Sequence, residues 1–297
     1  MTATAETAAW SKSSRTRNNA GEIARIVIKR VIVHGFLILA CASMAGPFIW
    51  MVLSSLKTQP EIFIFPPRWL PKSPQWYNYI EVTKAMPFGW FTFNSLKIAF
   101  LTVLGTVLSA SMAAYAFARM RFPGRETMFL IWIGCMMIPG QVVLIPQFIM
   151  FRSLGWLDTH LPLVVPSFFG NAFGTFLLRQ FFMTIPMELE DAAVVDGATR
   201  FRIFWNIMMP LATPSIATLA VFTFMGSWNN LLGPVIYLTD YDKMTLPVGL
   251  AFFRGQYGTQ WPLLMAGATI SVIPIVLLYI FAQRYFVQGV VMSGIKG

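Results

Sequence analysis

Charge is what this sequence has little of. Charged residues make up 11% of its 297 positions, against roughly a quarter in soluble domains, while apolar residues reach 56%. A soluble core of this size cannot hide that much apolar surface, so the surrounding solvent must be lipid. Cysteine and histidine are scarce as well, at two each. Cys41 and Cys135 both lie in apolar runs and read as small buried hydrophobes, which excludes a disulfide framework. His34 and His160 stand far apart, and no cluster of Cys or carboxylates accompanies either, so no metal site is expected. No Gly-Lys dipeptide occurs, which rules out a phosphate-cradling P-loop. A Gly-x-Ser-x-Gly elbow, a His-Glu-x-x-His helix and a nucleophile–base set are also missing, so the chain is not expected to be an enzyme. It is expected to bind no cofactor of its own.

What is present is a series of apolar runs. A span needs about 20 apolar residues, and six stretches qualify: 26–53, 94–118, 127–150, 161–182, 211–236 and 263–286. Proline interrupts several of them at Pro47, Pro139, Pro146, Pro166 and Pro274, which membrane helices tolerate when neighbours satisfy the freed backbone. All twelve Asp and Glu fall outside the six runs. That argues against a secondary transporter driven by a proton or sodium gradient, which would place carboxylates for the coupling ion within the membrane.

The net charge of +10 admits nucleic acid as a partner, but the cations sit at the ends of spans and no basic face with stacking aromatics accompanies them. No nucleic-acid binding is expected. The same cations set an orientation. Arg25, Lys29 and Arg30 precede the first run, Arg119, Arg121 and Arg125 follow the second, and Arg179, Arg200 and Arg202 flank the stretch after the fourth. The opposite loops are poorer in cations per residue, so both termini are expected in the cytoplasm. Residues 1–24 read as a disordered cytoplasmic tail and 25–297 as one six-span, all-α membrane domain. The loop 57–93 falls outside, and its Trp69, Trp76, Tyr77 and Tyr79 suit the membrane interface, with contact to an external partner as the other reading.

Between the fourth and fifth runs lies MELEDAAVVDGATRFRIFWNIMMP, polar and charged between apolar neighbours. It reads as helix, glycine break, helix. Thr184 and Pro186 suit a helix start, and Glu188, Glu190 and Asp191 sit near the positive end of its dipole. Leu189, Ala192 and Ala193 make a small apolar face, and Gly197 suits a C-terminal stop. Thr199 can cap a second helix carrying Phe201, Phe204, Trp205 and Met208, which Pro210 is expected to break. Such a pair reads as a plug for a docking partner.

DAAVVDGA, with Ile207 ten residues beyond Gly197 and Pro210 closing IMMP, resembles the cytoplasmic EAA loop of ABC importer permeases. Asp191 stands where that family usually has Glu, and Met209 where it usually has Leu. The segments CMMIPGQVVLIPQFIMFRSLGWLDTHLPLVVP, FLLRQFFMTIPMELEDAAVVDGA and QRYFVQGVVMSGIKG extend the likeness to the carbohydrate branch, most of all to the smaller permease subunit of maltose-type importers. The resemblance implies an inner-membrane permease subunit that moves sugar with ATP hydrolysed elsewhere. It implies a second permease as heterodimer partner, two ATPase subunits that bind ATP and Mg, and an extracytoplasmic solute-binding protein. It implies that 184–210 is the coupling loop, with Glu190, Asp191, Ala192, Ala193, Asp196, Gly197, Ile207 and Pro210 receiving the ATPase, and that the tail Gly294–Gly297 reaches toward it. A non-sugar solute is the alternative cargo.

Sugars are held by amides, hydroxyls and stacked rings. Trp228, Asn229 and Asn230 in the fifth run and Gln141 in the third are therefore candidate pathway residues, since polar groups in a span face a cavity or a partner helix. Hydrogen bonding between helices is the competing reading.

Overall fold

A computed structural model describes the backbone of residues 3–255 and 258–294 and the side chains of 25–255 and 259–284. The chain is helical almost throughout, with α1 (Ala3–Ser55), the short α2 (Gln59–Ile62), α3 (Tyr77–Ala85) and α4 (Phe88–Arg119) in its first part. Next come α5 (Arg125–Gly134), α6 (Gly140–Ser153), α7 (Leu161–Val164) and α8 (Ala172–Thr184). The polar loop forms α9 (Glu188–Val195), α10 (Arg200–Ile203) and α11 (Met209–Leu211), and α12 (Thr213–Trp228), α13 (Leu232–Tyr237), α14 (Leu246–Ala251) and α15 (Trp261–Gly294) complete it. The sole described sheet is a two-residue antiparallel ladder, Arg254–Gly255 with Gly258–Thr259.

Four helical stretches are long and apolar enough to cross a bilayer: Arg25–Ser55, Phe88–Arg119, Leu161–Thr184 and Trp261–Arg284. Two further stretches are bent pairs. Arg125–Met137 and Gly140–Ser153 meet at 96°, and Arg200–Leu211 and Thr213–Trp228 meet at 77°. The runs 127–150 and 211–236 are therefore bent or divided, as the interrupting proline at Pro139 leads one to expect for the first. At the first bend Pro139 lacks an N–H and forces Ile138 into extended backbone, which ends the preceding turn. In the second region the run 211–236 divides at Asn229–Leu231, where the Asn230 Oδ1 accepts from the Gly233 amide at 3.0 Å. Leu161–Thr184 carries its own irregularity at Gly170 (φ 133°), after which the Asn171 Oδ1 caps α8 by accepting from the Gly174 amide at 2.6 Å. Helix α1 is continuous from Ala3 to Ser55, and alanine in ATAETAA favours helix at its start.

Helix α4 organises the packing, with α8 and α12 against its sides. Two apolar clusters form, one at each end. Phe88 and Phe91 at the start of α4 join Val82, Met86, Trp228, Leu246, Phe253, Leu263 and Ala266. Ala110, Ala114 and Tyr115 near its other end join Leu178, Phe182, Ile185, Ala193, Ile203, Phe204, Met208 and Leu219. The second cluster includes the polar loop, so the plug is built onto one end of the bundle. Midway, Gly105 lets α4 approach the turn after α7 closely: a Cβ there would collide with the Ser167 Oγ and lie 2.6 Å from the Phe168 ring.

The three loops assigned to one side do share an end. The Gln59 side chain donates to the Thr259 carbonyl at 2.7 Å and accepts from the Trp261 amide at 3.0 Å. Asp158 accepts from the amides of Thr239 (3.0 Å) and Asp240 (2.8 Å) and from the Lys243 ammonium (2.8 Å). Asn94 donates to the carbonyls of Asp242 (2.9 Å) and Met244 (3.0 Å). Lys57, expected as a loop cation, is fully buried there: its ammonium donates to the Arg68 carbonyl at 2.6 Å and sits 4.0 Å from the Trp50 ring. Cys41 and Cys135, expected as buried, lie on the surface of the bundle, because α1 packs through one side only and Cys135 sits in the turn before the 96° bend.

Candidate functional site

Helix α8 ends at Thr184, and Ile185 turns inward to join the apolar cluster before α9 starts. The expected acidic first turn is present, with Glu188, Glu190 and Asp191 at the positive end of the helix dipole. Thr184 and Pro186 lie just outside, and Met187 is the residue that precedes the helix. Gly197 ends the helix with φ 79°, a left-handed conformation that a side chain makes costly. Thr199 then caps α10, its Oγ1 accepting from the Arg202 amide at 3.3 Å.

Two details differ from expectation. Pro210 does not break the second helix. A π-helical turn over Phe204–Met208 precedes it, and that wider backbone pairing brings the chain past a residue without an N–H. The break falls at Ala212 instead. The buried face of α9 also differs, because Glu190 and Ala193 point inward while Leu189 and Ala192 lie exposed. The outward surface of the plug carries apolar side chains among its charges: Leu189, Val194, Phe201 and Val195, the last with 87% of its area exposed. Asp191 and Asp196 are exposed beside them. A groove of about 430 Å³ runs alongside, lined by Gly197, Thr199, Phe201, Arg202, Trp205 and Asn206. Ile207 is half-buried behind it, packed against the cluster.

Glu190 is 7% exposed, and its Oε1 lies 3.0 Å from the Nε of Arg119, itself 9% exposed, at the end of α4. Burial raises the Glu190 carboxyl above the usual carboxylate range, and the positive charges of Arg119 and Arg200 oppose that shift. The Arg119 guanidinium also donates to the carbonyls of Phe182 and Ile185 and contacts the Met187 sulfur. From α8, Arg179 donates to the Phe117 carbonyl at 3.3 Å, pairs with Glu126 at 3.0 Å and lies 4.0 Å from the Phe129 ring. Sequence reasoning counted both arginines only as orienting charge. The available signal was an arginine closing an apolar run, facing a loop with more acid than its exposed surface uses.

The candidate pathway residues do not come together. Trp228 is 2% exposed, donates its indole N–H to the Ser271 carbonyl at 3.1 Å and stacks on Phe224. Asn229 is exposed, and its amide donates back to the Met225 carbonyl at 3.0 Å. Asn230 holds the start of α13. Gln141 is exposed in the first turn of α6. A groove that no sequence pattern marked lies midway along the bundle. It spans about 420 Å³ between α4, α8 and α12, and Thr102, Thr106, Ser167, Asn171 and Thr223 line it together with Phe173 and Phe222.

Comparison with known proteins agrees with this arrangement. Residues 105–292 match the family model described as binding-protein-dependent transport system inner membrane component. The chain is 34% identical over 277 residues to the arabinooligosaccharides transport system permease protein AraQ of Halalkalibacterium halodurans, covering 91% of this chain and 98% of that one. It is 32% identical over 271 residues to the sn-glycerol-3-phosphate transport system permease protein UgpE of Yersinia enterocolitica, covering 89% and 96%. Its fold is similar to a chain in the crystal structure of a bacterial ABC transporter involved in the import of the acidic polysaccharide alginate, with TM-score 0.76, 24% identity and coverage of 87% and 96%. A multi-pass helical bundle that carries the plug on one end and matches such a model over most of its length belongs to the family of binding-protein-dependent transport system inner membrane components.

Proposed function

We propose that this chain is the transmembrane permease subunit of an ATP-dependent carbohydrate importer and that residues 184–210 receive the force of a separate ATPase. The observation that carries the reading is the plug itself. A short helix pair, seated on the ends of α4 and α8, turns Leu189, Val194, Val195 and Phe201 outward among exposed charges and beside a groove, a mixed surface suited to a protein partner. Closure of a cleft around such a helix converts into rigid-body movement of the spans behind it. Asp191 and Asp196 offer charges to a basic rim on the ATPase, and Gly197 gives the sharp exit that keeps α9 and α10 as separate faces. In this reading the bent pair Arg125–Met137 and Gly140–Ser153 counts as one span and Thr213–Trp228 supplies another, for six in all, with both termini in the cytoplasm on the side of the plug.

The pathway would form with a second permease, in a heterodimer carrying two ATPase subunits that bind ATP and Mg, and an extracytoplasmic binding protein would deliver the solute. The hydroxyl-lined groove between α4, α8 and α12 is a further contribution of this chain to that pathway, beside the candidates Gln141, Trp228, Asn229 and Asn230. Hydroxyls and amides beside Phe173 and Phe222 suit a sugar. Sugar import is favoured over a non-sugar solute because several relatives, among them AraQ, are named for oligosaccharide or starch-product transport.

The test is co-purification from detergent-solubilised membranes. Wild type should bring down a P-loop ATPase and a second permease, whereas Leu189→Asp combined with Val195→Asp should keep the permease and lose the ATPase. A chain that purifies alone and transports in proteoliposomes without ATP would sink the reading.

A further inference from the structure

Arg119 joins three separate pieces of backbone. It is the last residue of α4, it holds the C-terminal carbonyls of α8 at Phe182 and Ile185, and it pairs with Glu190 in α9. Arg179 makes the reciprocal link, from α8 to the Phe117 carbonyl of α4. Helices α4 and α8 therefore end side by side, where the negative ends of two helix dipoles meet, and each guanidinium neutralises the terminal carbonyls of the other helix. Glu190 faces inward, away from Leu189, Val194 and Val195, so it is not available to a docking partner.

A buried ion pair contributes little net stability, because desolvation of both charges offsets their attraction. Severing it is nevertheless costly, since it leaves one charge buried without a partner. Such a pair acts as an all-or-none link. The apolar contacts of Ala193 and Ile203 around it hold α9 by area and set no direction. A guanidinium hydrogen-bonded to the fixed carbonyls of Phe182 and Ile185 does set direction, and it holds its positive charge 3.0 Å from the Glu190 carboxylate.

From this we infer that Arg119 is a positioning residue of the transport cycle: through Glu190 it locks α9 to the ends of α4 and α8, so that displacement of the coupling helix reaches both spans without slip. The inference rests on the coupling-loop reading above.

The test measures distance between spin labels at Glu188→Cys on α9 and Met112→Cys on α4, in the membrane-reconstituted complex with Cys41 and Cys135 replaced by Ser. Distances are compared without nucleotide and with ATP plus vanadate. With the native Arg119 the distance is the same in both states. With Arg119→Met it shifts on nucleotide binding by on the order of 2 Å, the scale of helix slippage at an interface. Should Arg119→Met fail to assemble, Glu190→Gln, which leaves Arg119 its carbonyl partners, carries the measurement and shows the same shift. An unchanged distance in an assembled variant overturns the inference, as does a shift with the native arginine in place. If the native chain co-purifies with no ATPase at all, it is the coupling reading that fails, whatever the label distances are.

Discussion

Asp158 shows how one side chain fixes two loops. Its φ of 57° is left-handed, a conformation that Asp and Asn tolerate better than other residues with side chains. From there it accepts two backbone amides and the Lys243 ammonium, and these hold its carboxyl well below the usual carboxylate range. A depressed folded pKa contributes stability above the unfolded value, about 3.9, and loses it as pH falls from there through the folded value. Asp158→Asn, which keeps the left-handed tolerance, should therefore lower the melting temperature of the detergent-solubilised protein at pH 7. The gap to wild type should narrow as pH drops below about 4; a gap that persists at low pH would mean the charge is not what matters. None of this was legible in the sequence, because Asp158 and Lys243 lie far apart in the chain and neither belongs to a periodic pattern. Glu190 was legible as an acid of the coupling loop but not as an inward-facing one, since its partner is fixed only by the meeting of α4 and α8.

Helices and their stops are legible where local chemistry decides them. Gly197 and Thr199 are in their expected roles because a left-handed stop and an N-cap depend on one or two residues. Pro210 departs from its expected role because the π turn that accommodates it has no signature of its own. The runs 127–150 and 211–236 form helices that are bent or divided: proline marked an interruption at Pro139, but hydropathy averages over a window and gives neither the size of that bend nor the division at Asn229–Leu231. Two substitutions probe this scale. Gly197→Val should strain the left-handed exit by roughly 1–2 kcal/mol and reduce ATPase co-purification, with total helicity by circular dichroism unchanged. Gly105→Leu should separate α4 from the turn at Ser167 and Phe168, costing about 1–3 kcal/mol in overpacking, read as a lower melting temperature with the plug still able to bind. If Gly105→Leu abolished ATPase capture and Gly197→Val left it intact, the division of labour between bundle and plug would be wrong.

Across the whole molecule, composition alone dictates lipid as solvent, and the charge asymmetry sorts the loops into two sets that the structure places at opposite ends. The sidedness proposed above, with the plug in the cytoplasm, is open to direct measurement. A cysteine introduced at Asp196 should react with an impermeant maleimide only after membranes are opened, and one at Ser73 should react in intact spheroplasts; the reverse pattern would invert the topology. The two apolar clusters, with α4 and α12 running between them past a polar groove, have a consequence for how such a chain diversifies. Each end packs around its own set of buried residues, so a substitution in one set leaves the direct contacts of the other in place. Descendants can exchange the loops that meet a new solute supplier while retaining an unaltered motor seat, or the converse, and selection can act on the two ends as separately heritable traits.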